Sequence, residues 1–271
     1  MDPIQPFFAL SSDKYYKRIS KIAGVAHIYE YLSGSDLTSG IYSIPDGCID
    51  IIFDEDSSDF YAFAAGTVLK GTPNNHIIGH HYFGIRFLPG VTPAFLDGKF
   101  HEFTNSLIDL DSCSKFCTQL KDQIYEKKTF REKADAVESL YLQALSKACQ
   151  SGNSKSILVT SIKSLIEDSQ GNIPIHQIEA QTGYTSRYID KVFKESTGLT
   201  PKNFCKIIRF QSAINHLDHD NHILLTDLAA DHGYYDQPQF IRDFKKYSKM
   251  TPNQYRKQIM RSNYTNKFIF A

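Results

Sequence analysis

The spacing of hydrophobic and polar residues divides this chain into parts of different texture. From Tyr29 to about Phe103, short apolar runs alternate with clusters of Gly, Pro, Asn and Asp. From about Asp111 to Ala148, apolar residues recur every fourth position, and helical spacing continues to the end. The first texture is typical of short antiparallel strands and the second of helices. The sequence therefore predicts an α+β chain, with an N-terminal antiparallel β-barrel or sandwich followed by an all-α region.

Three stretches connect these parts. Residues 1 to about 30 are mixed, and the apolar positions between Tyr15 and Val25 favour a helix or an irregular cap. Two helices, about Cys113–Tyr125 and Phe130–Lys147, should follow the sheet as either a packing layer or a dimerisation surface. The small polar run at 151–156 is the best candidate linker.

The all-α region contains the same sequence motif twice. Gly183 and Gly233, each followed by Tyr, lie 50 residues apart, and Thr200 and Thr251, each followed by Pro, lie 51 apart. Such a period predicts one supersecondary unit used twice. In each copy a short helix ends at Gly-Tyr, where glycine permits the left-handed backbone of a sharp turn.

A second helix follows each turn, so the two units should span about residues 175–196 and 226–247. Thr185 and Asp236 stand where the helix N-caps belong. Each second helix pairs one apolar stripe with a polar, mostly basic outer face, which is the helix-turn-helix arrangement for major-groove binding. The alternative is a pair of helical hairpins in a protein-binding bundle, and the matched basic helices favour DNA.

A linker helix should join the two units. The run from Pro201 to Leu217 would span about 25 Å at 1.5 Å per residue. Successive major grooves on one face of DNA recur about every 34 Å. One chain could therefore place both second helices on the same face of a duplex.

Charge separates the two halves of this 271-residue chain, although its formal net charge is zero. Residues 1–150 hold 14 Lys and Arg against 19 Asp and Glu, whereas residues 151–271 hold 16 against 11. An acidic half joined to a basic half indicates that only the second meets a polyanion.

Several classes of protein are disfavoured. The five cysteines include no Cys-x-x-Cys, so neither a disulfide framework nor a zinc knuckle is indicated. The start lacks a signal peptide and no apolar run approaches 18 residues, so we expect a cytoplasmic protein without membrane contact. There is no nucleophile elbow, phosphate loop or cofactor fingerprint, so we expect no enzyme and no cofactor.

Residues from about Ile157 to Lys257 resemble the AraC/XylS family DNA-binding domain. The matching signature reads G-Y-x-S, F-K-E-x-T-G-x-T-P, R-F-Q-S-A, L-A-x-x-x-G-Y and T-P-x-x-Y-R. The resemblance implies base-reading positions at Arg187, Asp190, Lys191, Gln237, Pro238, Ile241 and Arg242. It implies phosphate contacts at Ser186, Lys194 and Lys245.

Two residues of this region depart from the usual pattern, and Asp190 is unusual in a groove that faces phosphates. Pro238 stands where many relatives carry a polar side chain, so the second helix of the second unit should contact fewer bases directly. Leu224 replaces a small capping residue, which leaves the start of that helix open. Asp190 could accept from cytosine N4, or instead pair with Lys194 one turn along the helix.

The first half resembles a cupin-like sensor domain found before this DNA-binding domain in some members. The resemblance lies in I-P-D-G-C-I-D-I-I-F and G-I-R-F-L-P-G. It implies a small-molecule effector and a homodimer. Arg86, in a predicted strand, needs an anionic partner, either an effector carboxylate or, as we favour, Asp46 or Asp50. With His81, these are the candidate effector residues.

A metal site is the alternative for the first half. His76, His80 and His81, with His101 and Glu102, suggest metal ligands, but their spacing does not match the ligand set of a metal cupin. We therefore predict no metal there. The alternatives to effector control are a metal-dependent cupin enzyme and a ligand-free scaffold, each fused to a DNA-binding module.

The sequence thus predicts a bacterial transcription regulator with double-stranded DNA, an effector and RNA polymerase as partners, activation being the more usual mode of its family. Its expected parts are a sensing and dimerisation domain at 1–150, a linker at 151–156, a DNA-binding domain at 157–260 and a tail at 261–271.

Overall fold

The first half is built on an open seven-stranded sheet. The computed structural model describes residues 3–34, 42–58, 60–74, 76–93, 95–96, 103–110, 115–148, 154–220, 222–262 and 264–271. After a short helix, α1 (Pro6–Leu10), the strands are β1 (Tyr15–Ile19), β2 (Val25–Leu32), β3 (Tyr42–Ser43), β4 (Asp50–Asp54), β5 (Tyr61–Ala65), β6 (Thr72–Pro73), β7 (His81–Phe87), β8 (Leu107–Asp109) and β9 (Phe268–Phe270). The sheet order is β8-β5-β4-β7-β2-β1-β9, and β3 pairs separately with β6.

The α+β class is confirmed, with one correction to the sheet. All pairings are antiparallel except that of β1 with β9. The order begins at β8 and ends at β9, so over the described residues the sheet stays open and does not form the barrel expected of a cupin. The predicted helix or cap between Tyr15 and Val25 was wrong, because these residues form β1 and the start of β2.

The two predicted helices after the sheet are present. They are α2 (Lys115–Tyr125) and α3 (Phe130–Ala148). Their buried side chains join one sheet face in a core that includes Phe53 and Phe83. They are therefore a packing layer, although Tyr125 and Leu142 remain exposed on them.

The second half is helical throughout most of its length. Its helices are α4 (Ser154–Asp168), α5 (Ile175–Thr182), α6 (Ser186–Thr197), α7 (Pro201–His219), α8 (Leu225–Asp231), α9 (Gln237–Ser248) and α10 (Pro252–Ser262). The predicted helix-turn-helix boundaries lie within one residue of these ends. Of the predicted linker, residues 154–156 form the first turn of α4, and residues 151–153 lie outside the described part.

Helix α7 belongs to two hydrophobic cores. Phe204, Ile207 and Ile208 pack in the core of the first helix-turn-helix unit. Further along, Phe210 and Ile214 pack in a core that contains the second unit and the other face of the sheet. A helix with buried residues on several sides is held by tertiary packing rather than by its own propensity. The second unit and the first half therefore share a core.

The end of the chain returns to the sheet. Strand β9 runs parallel to β1, with Phe268 opposite Tyr15, and the Ala271 amide donates to the Lys17 carbonyl at 3.1 Å. The predicted tail at 261–271 therefore contains the last residues of α10 and an ordered strand. Together with the shared core, this strand joins the helical half to the first half.

Gln211 on α7 provides a direct test of the contact between the helical half and the first half. Its buried amide accepts from the Ile4 amide at 2.8 Å and donates to the carbonyls of Ile4 at 3.2 Å and Pro45 at 2.8 Å. We expect Gln211→Leu to lower the free energy of unfolding by about 1–3 kcal/mol, because these buried groups lose their partner. Urea unfolding of the full chain measures this loss.

The matched control is Lys206→Leu, at an exposed position of the same helix. It should change the free energy of unfolding by less than about 0.5 kcal/mol. Equal losses from the two substitutions would show that Gln211 does not join the halves.

Candidate nucleic-acid interface and ligand cavity

The two glycine turns have the backbone that the sequence predicts. Gly183 has φ +74° and Gly233 has φ +65°, both in the left-handed region. The Gly183 amide donates to the Glu179 carbonyl at 2.8 Å, and the Tyr234 amide donates to the Ala229 carbonyl at 2.9 Å. Side chains with a Cβ rarely adopt these angles, which explains the glycine in both copies.

The second helices of the two units, α6 and α9, which we call the readers, begin with different caps. Asp236 accepts from the Gln239 amide at 2.6 Å, and the Gln239 side chain accepts from the Tyr235 amide at 3.0 Å. The second bond reaches the amide before the N-cap rather than that of Asp236, so it is not a capping box, and it engages the Gln239 side chain. Thr185 occupies the N-cap of α6 without a side-chain bond. There Glu179 on α5 reaches the Ser186 amide instead.

The exit of each unit repeats as well. The Thr197 hydroxyl donates to the Phe193 carbonyl at 2.8 Å and accepts from the Leu199 amide at 3.2 Å. In the second unit Ser248 makes the equivalent bonds to Phe244 and Met250 at 2.8 and 3.2 Å. The repeat is therefore structural at the C-terminal ends of the readers.

The structure places the predicted DNA-contacting side chains on the outer faces of α6 and α9. Seven are exposed: Arg187, Asp190, Lys191, Lys194, Pro238, Arg242 and Lys245. Three are half-buried: Ser186, Gln237 and Ile241. Ile241 also packs against the shared core, so part of its side chain serves packing. In the described part of the chain no ion pair joins Asp190 to Lys194, and their roles on DNA remain predictions.

Arg209 on α7 fixes both units, a role that sequence reasoning missed. Its guanidinium donates to the Gly171 carbonyl at 3.0 Å and to the Gly233 carbonyl at 3.3 Å. It also lies 5.5 Å from the centre of the Tyr234 ring. One cation thus connects the end of α4 to the turn of the second unit. Its place in R-F-Q-S-A marked it as part of the family signature without showing a role.

Exposed aromatic rings stand beside both readers and were also missed. Tyr184 and Tyr188 stack with their centroids 5.1 Å apart, and both are partly exposed. Tyr235, just before α9, is 95 % exposed. Periodicity assigns such rings to a core, so the sequence alone gave no signal for this placement.

The first half contacts the C-terminal ends of both readers. The Thr92 hydroxyl donates to the Ser196 carbonyl at 3.0 Å, and the Thr104 hydroxyl to the Gly198 carbonyl at 3.1 Å. The Gly71 amide donates to the Lys246 carbonyl at 3.2 Å. These bonds satisfy carbonyls that a helix end leaves open. The N-terminal ends of the readers, with Arg187 and Gln237, point away from these contacts along each helix.

A cavity of about 440 Å³ opens on the sheet face opposite α2 and α3. Its apolar lining includes Phe8, Ile44, Ile52, Tyr61 and Phe63. Its charged lining consists of Asp46, Asp50, Asp54 and Arg86, and its other titratable side chains include Cys48, His76 and Tyr82. The volume and the mixed lining fit a small-molecule site.

Arg86 is paired internally, the alternative that the sequence favoured. Its Nε and Nη2 donate to the two carboxylate oxygens of Asp50 at 2.9 and 2.8 Å, and its Nη1 lies 3.4 Å from Asp46. Although burial lowers it, these carboxylates raise the pKa of Arg86 above its usual value. Burial raises the pKa of Asp46 despite the nearby guanidinium. Arg86, Asp46 and Asp50 all line the cavity.

The three histidines considered as metal ligands, His76, His80 and His81, each contact different partners. His76 stacks on Tyr82 at 4.0 Å and hydrogen-bonds to the Tyr31 hydroxyl, and burial lowers its pKa to about 3. His80 pairs with Asp54 at 2.8 Å. His81 pairs with Asp56 at 2.8 Å, is half exposed and does not line the cavity.

The structure therefore does not support His81 as an effector residue. The described residues hold no cluster of three His, Cys, Asp or Glu side chains that could bind a metal. His101 and Glu102 lie outside the described part. No described helix is long and apolar enough to cross a membrane.

Comparison with known proteins adds two family models. A helix-turn-helix domain model matches residues 178–258, and a model described as Domain of unknown function (DUF6597) matches residues 24–109. The first region contains both turns, both readers and α7. The second contains β2 to β8 and most of the cavity lining.

Individual proteins match more distantly. The HTH-type transcriptional regulator YtdP of Bacillus subtilis (strain 168) is 25 % identical over 142 residues, which are 51 % of this chain and 18 % of that protein. The lactose operon transcription activator of Staphylococcus xylosus is 28 % identical over 87 residues, covering 32 % of this chain and 31 % of that protein. The aligned regions cover less than two thirds of these relatives.

Among solved structures, ToxT from Vibrio cholerae O395 is similar at 13 % identity and a TM-score of 0.38, covering 90 % of this chain and 96 % of that one. The helix-turn-helix match covers the region in which the sequence carries the double Gly-Tyr signature and the structure carries two capped readers on one helix. This match supports the resemblance of the DNA-binding region to the AraC/XylS family.

Proposed function

We propose that this protein is a sequence-specific DNA-binding regulator of transcription whose affinity for DNA responds to a small ligand in its first half. The observation that carries the proposal is the pair of outward polar helices, α6 and α9, fixed on one continuous helix, α7. With 19 residues, α7 is about 28 Å long. This length suits two readers in successive major grooves, about 34 Å apart.

The readers differ in what they offer to DNA. Helix α6 presents Arg187 and Lys191, and Arg can bridge guanine O6 and N7 in the major groove. Helix α9 presents Gln237 and Arg242 but also Pro238 and a half-buried Ile241. We assign most base reading to α6, and we assign to α9 a larger share of phosphate contact and DNA shape.

Ligand response requires a physical route from the cavity to the readers. Residues 66–73, which we call the strap, include cavity-lining Gly66, Thr67 and Thr72. On the strap's other side, Leu69 packs against the core of the first unit, and Gly71 is bonded to the end of α9. A ligand that displaces the strap would therefore act on both units.

The other partners are those of a transcription regulator. We propose double-stranded DNA and the cavity ligand as direct partners, with RNA polymerase and a second copy of the chain as further ones. We assign no enzymatic activity to the protein, because regulators of this family are typically not enzymes.

The division of labour between the readers gives a test. Arg187→Ala should cost about 1–3 kcal/mol of binding and relax base preference at one position, because it removes a base-edge contact. Lys245→Ala should weaken binding to all sequences alike and reduce the salt slope by about one. Mobility shifts of the full chain on duplexes selected for binding, over a salt series, measure both.

Lys128→Ala, at an exposed position of the first half, is the matched control and should bind DNA as the wild type does. If the full chain binds no duplex even at low salt, DNA binding is wrong. If Arg187→Ala and Lys245→Ala have the same effect on base preference, only the division of labour is wrong.

The strap gives a second test. A Cβ on Gly71 would lie 2.5 Å from the Tyr247 carbonyl oxygen, so Gly71→Ala must shift the strap or the end of α9. We expect DNA affinity to fall about fivefold or more, in the range of typical coupling energies. Lys128→Ala, at an exposed position of the first half, is again the control. Wild-type affinity in both variants would contradict the proposed route.

A further inference from the structure

We propose that the cavity of the first half binds an organic cation, a protonated amine with an aromatic or aliphatic body. The proposal rests on the proposed function only for its regulatory consequence, because the binding itself follows from the lining. Three features of that lining select the ligand class: its net charge, the engagement of its single arginine, and its aromatic walls.

The charge balance of the lining is negative. The lining contains three carboxylates, those of Asp46, Asp50 and Asp54, and one guanidinium, that of Arg86. His76 adds no charge near neutral pH, because its burial keeps it unprotonated. Even with one proton shared within the Arg86 cluster, the carboxylates outnumber the cation. In a partly desolvated cavity such an excess favours a cationic ligand and opposes an anionic one.

The single arginine is not available to an anion. Asp50 takes both the Nε and the Nη2 edge of Arg86, and Asp46 lies on the third nitrogen. The rings of Phe8 and Tyr29 lie 5.8 and 5.9 Å from the guanidinium carbon. A ligand carboxylate would have to displace a buried bidentate pair, leaving Asp50 without its partner. The effector carboxylate considered at the outset is therefore disfavoured.

Asp54 lines the cavity with a buried carboxylate in aromatic surroundings. Its Oδ1 accepts from the Asp56 amide at 3.3 Å and pairs with His80 at 2.8 Å, and its Oδ2 accepts from the Tyr82 hydroxyl at 3.2 Å, which fixes the carboxylate in place. Oδ2 can still accept a further bond. Tyr61, which is 41 % exposed, stacks on Phe63 at the same wall. Ring faces of this kind attract a cation and pack against an apolar body.

The volume sets the size of the ligand. About 440 Å³ holds a compact molecule of one ring or a short chain. Asp50 and Asp54 lie on β4, and the strap forms another part of the lining. An ammonium at Asp54 would therefore place its apolar body among Phe8, Ile52 and Phe63 and within reach of the strap.

Matched probes test the ligand class on the full chain. The probes are 2-phenylethylamine, 3-phenylpropanoate and 2-phenylethanol, which share a ring and differ in charge. We expect the amine to bind saturably in calorimetry and to raise the unfolding midpoint with concentration, because it binds only the native state. The carboxylate and the alcohol should bind at least tenfold more weakly.

Two substitutions locate the binding. Asp54→Asn should weaken amine binding at least tenfold, whereas Asp56→Asn, which alters a carboxylate outside the cavity lining, should leave it unchanged. Tyr61→Ala, at a partly exposed ring, should also weaken binding and guards against a folding defect in Asp54→Asn. Carboxylate binding as tight as amine binding, or no amine binding at 10 mM (about the weakest useful affinity), would overturn the proposal.

DNA shifts on the same preparation separate the two proposals. DNA binding without amine binding overturns the ligand class and leaves the DNA-binding regulator intact. Amine binding without DNA binding overturns the DNA-binding regulator and leaves the ligand class intact.

Discussion

The structure depends on the packing of α7 into two cores at once. Phe204 and Ile208 anchor it in the first helix-turn-helix unit, and Phe210 and Ile214 anchor it in the second. Close-packed cores resist sliding and rotation, so the two readers cannot change their spacing without losing buried area. Arg209 reinforces this frame by bonding to the end of α4 and the turn of the second unit. A rigid frame of this kind is what recognition of two grooves by one chain requires.

The same packing makes the first half part of the DNA-binding frame. The second unit shares its core with one face of the sheet, β9 extends that sheet, and Gln211 joins α7 to Ile4 and Pro45. The strap then connects the cavity to the core of the first unit through Leu69 and to the end of α9 through Gly71. The sensor and the reader are therefore not separate bodies on a flexible tether. The ligand control that we propose would act through small shifts in a packed contact, which bistable interfaces can amplify.

The helical half was predictable because its signals are local. Helical periodicity, the two Gly-Tyr turns and the Thr-Pro exits depend on residues within a few turns of one another. They located the ends of α5, α6, α8 and α9 within one residue and the end of α7 within two. The outward positions of Arg187 and Lys191 followed from the same periodicity. Asp236 was predicted as a cap for this reason, whereas Glu179 was not, because it acts on the neighbouring helix.

The first half was predictable only in class, because its determinants are long-range. Nothing near Phe268 indicates that it pairs with Tyr15, and the mixed residues before β2 fit helix and strand alike. Whether a sheet closes into a barrel likewise depends on how its edge strands pair, and the hydrophobic pattern within the strands does not determine that pairing. The internal partner of Arg86 could be named from its need for a carboxylate, but the aromatic cavity around it could not.

Protection of guanine N7 along a bound duplex tests the central claim, that one rigid chain reads two grooves on one face. The account predicts two clusters of protected guanines about 10 base pairs apart on the same face, since that is one helical turn. A single cluster, or two clusters on opposite faces, would contradict it.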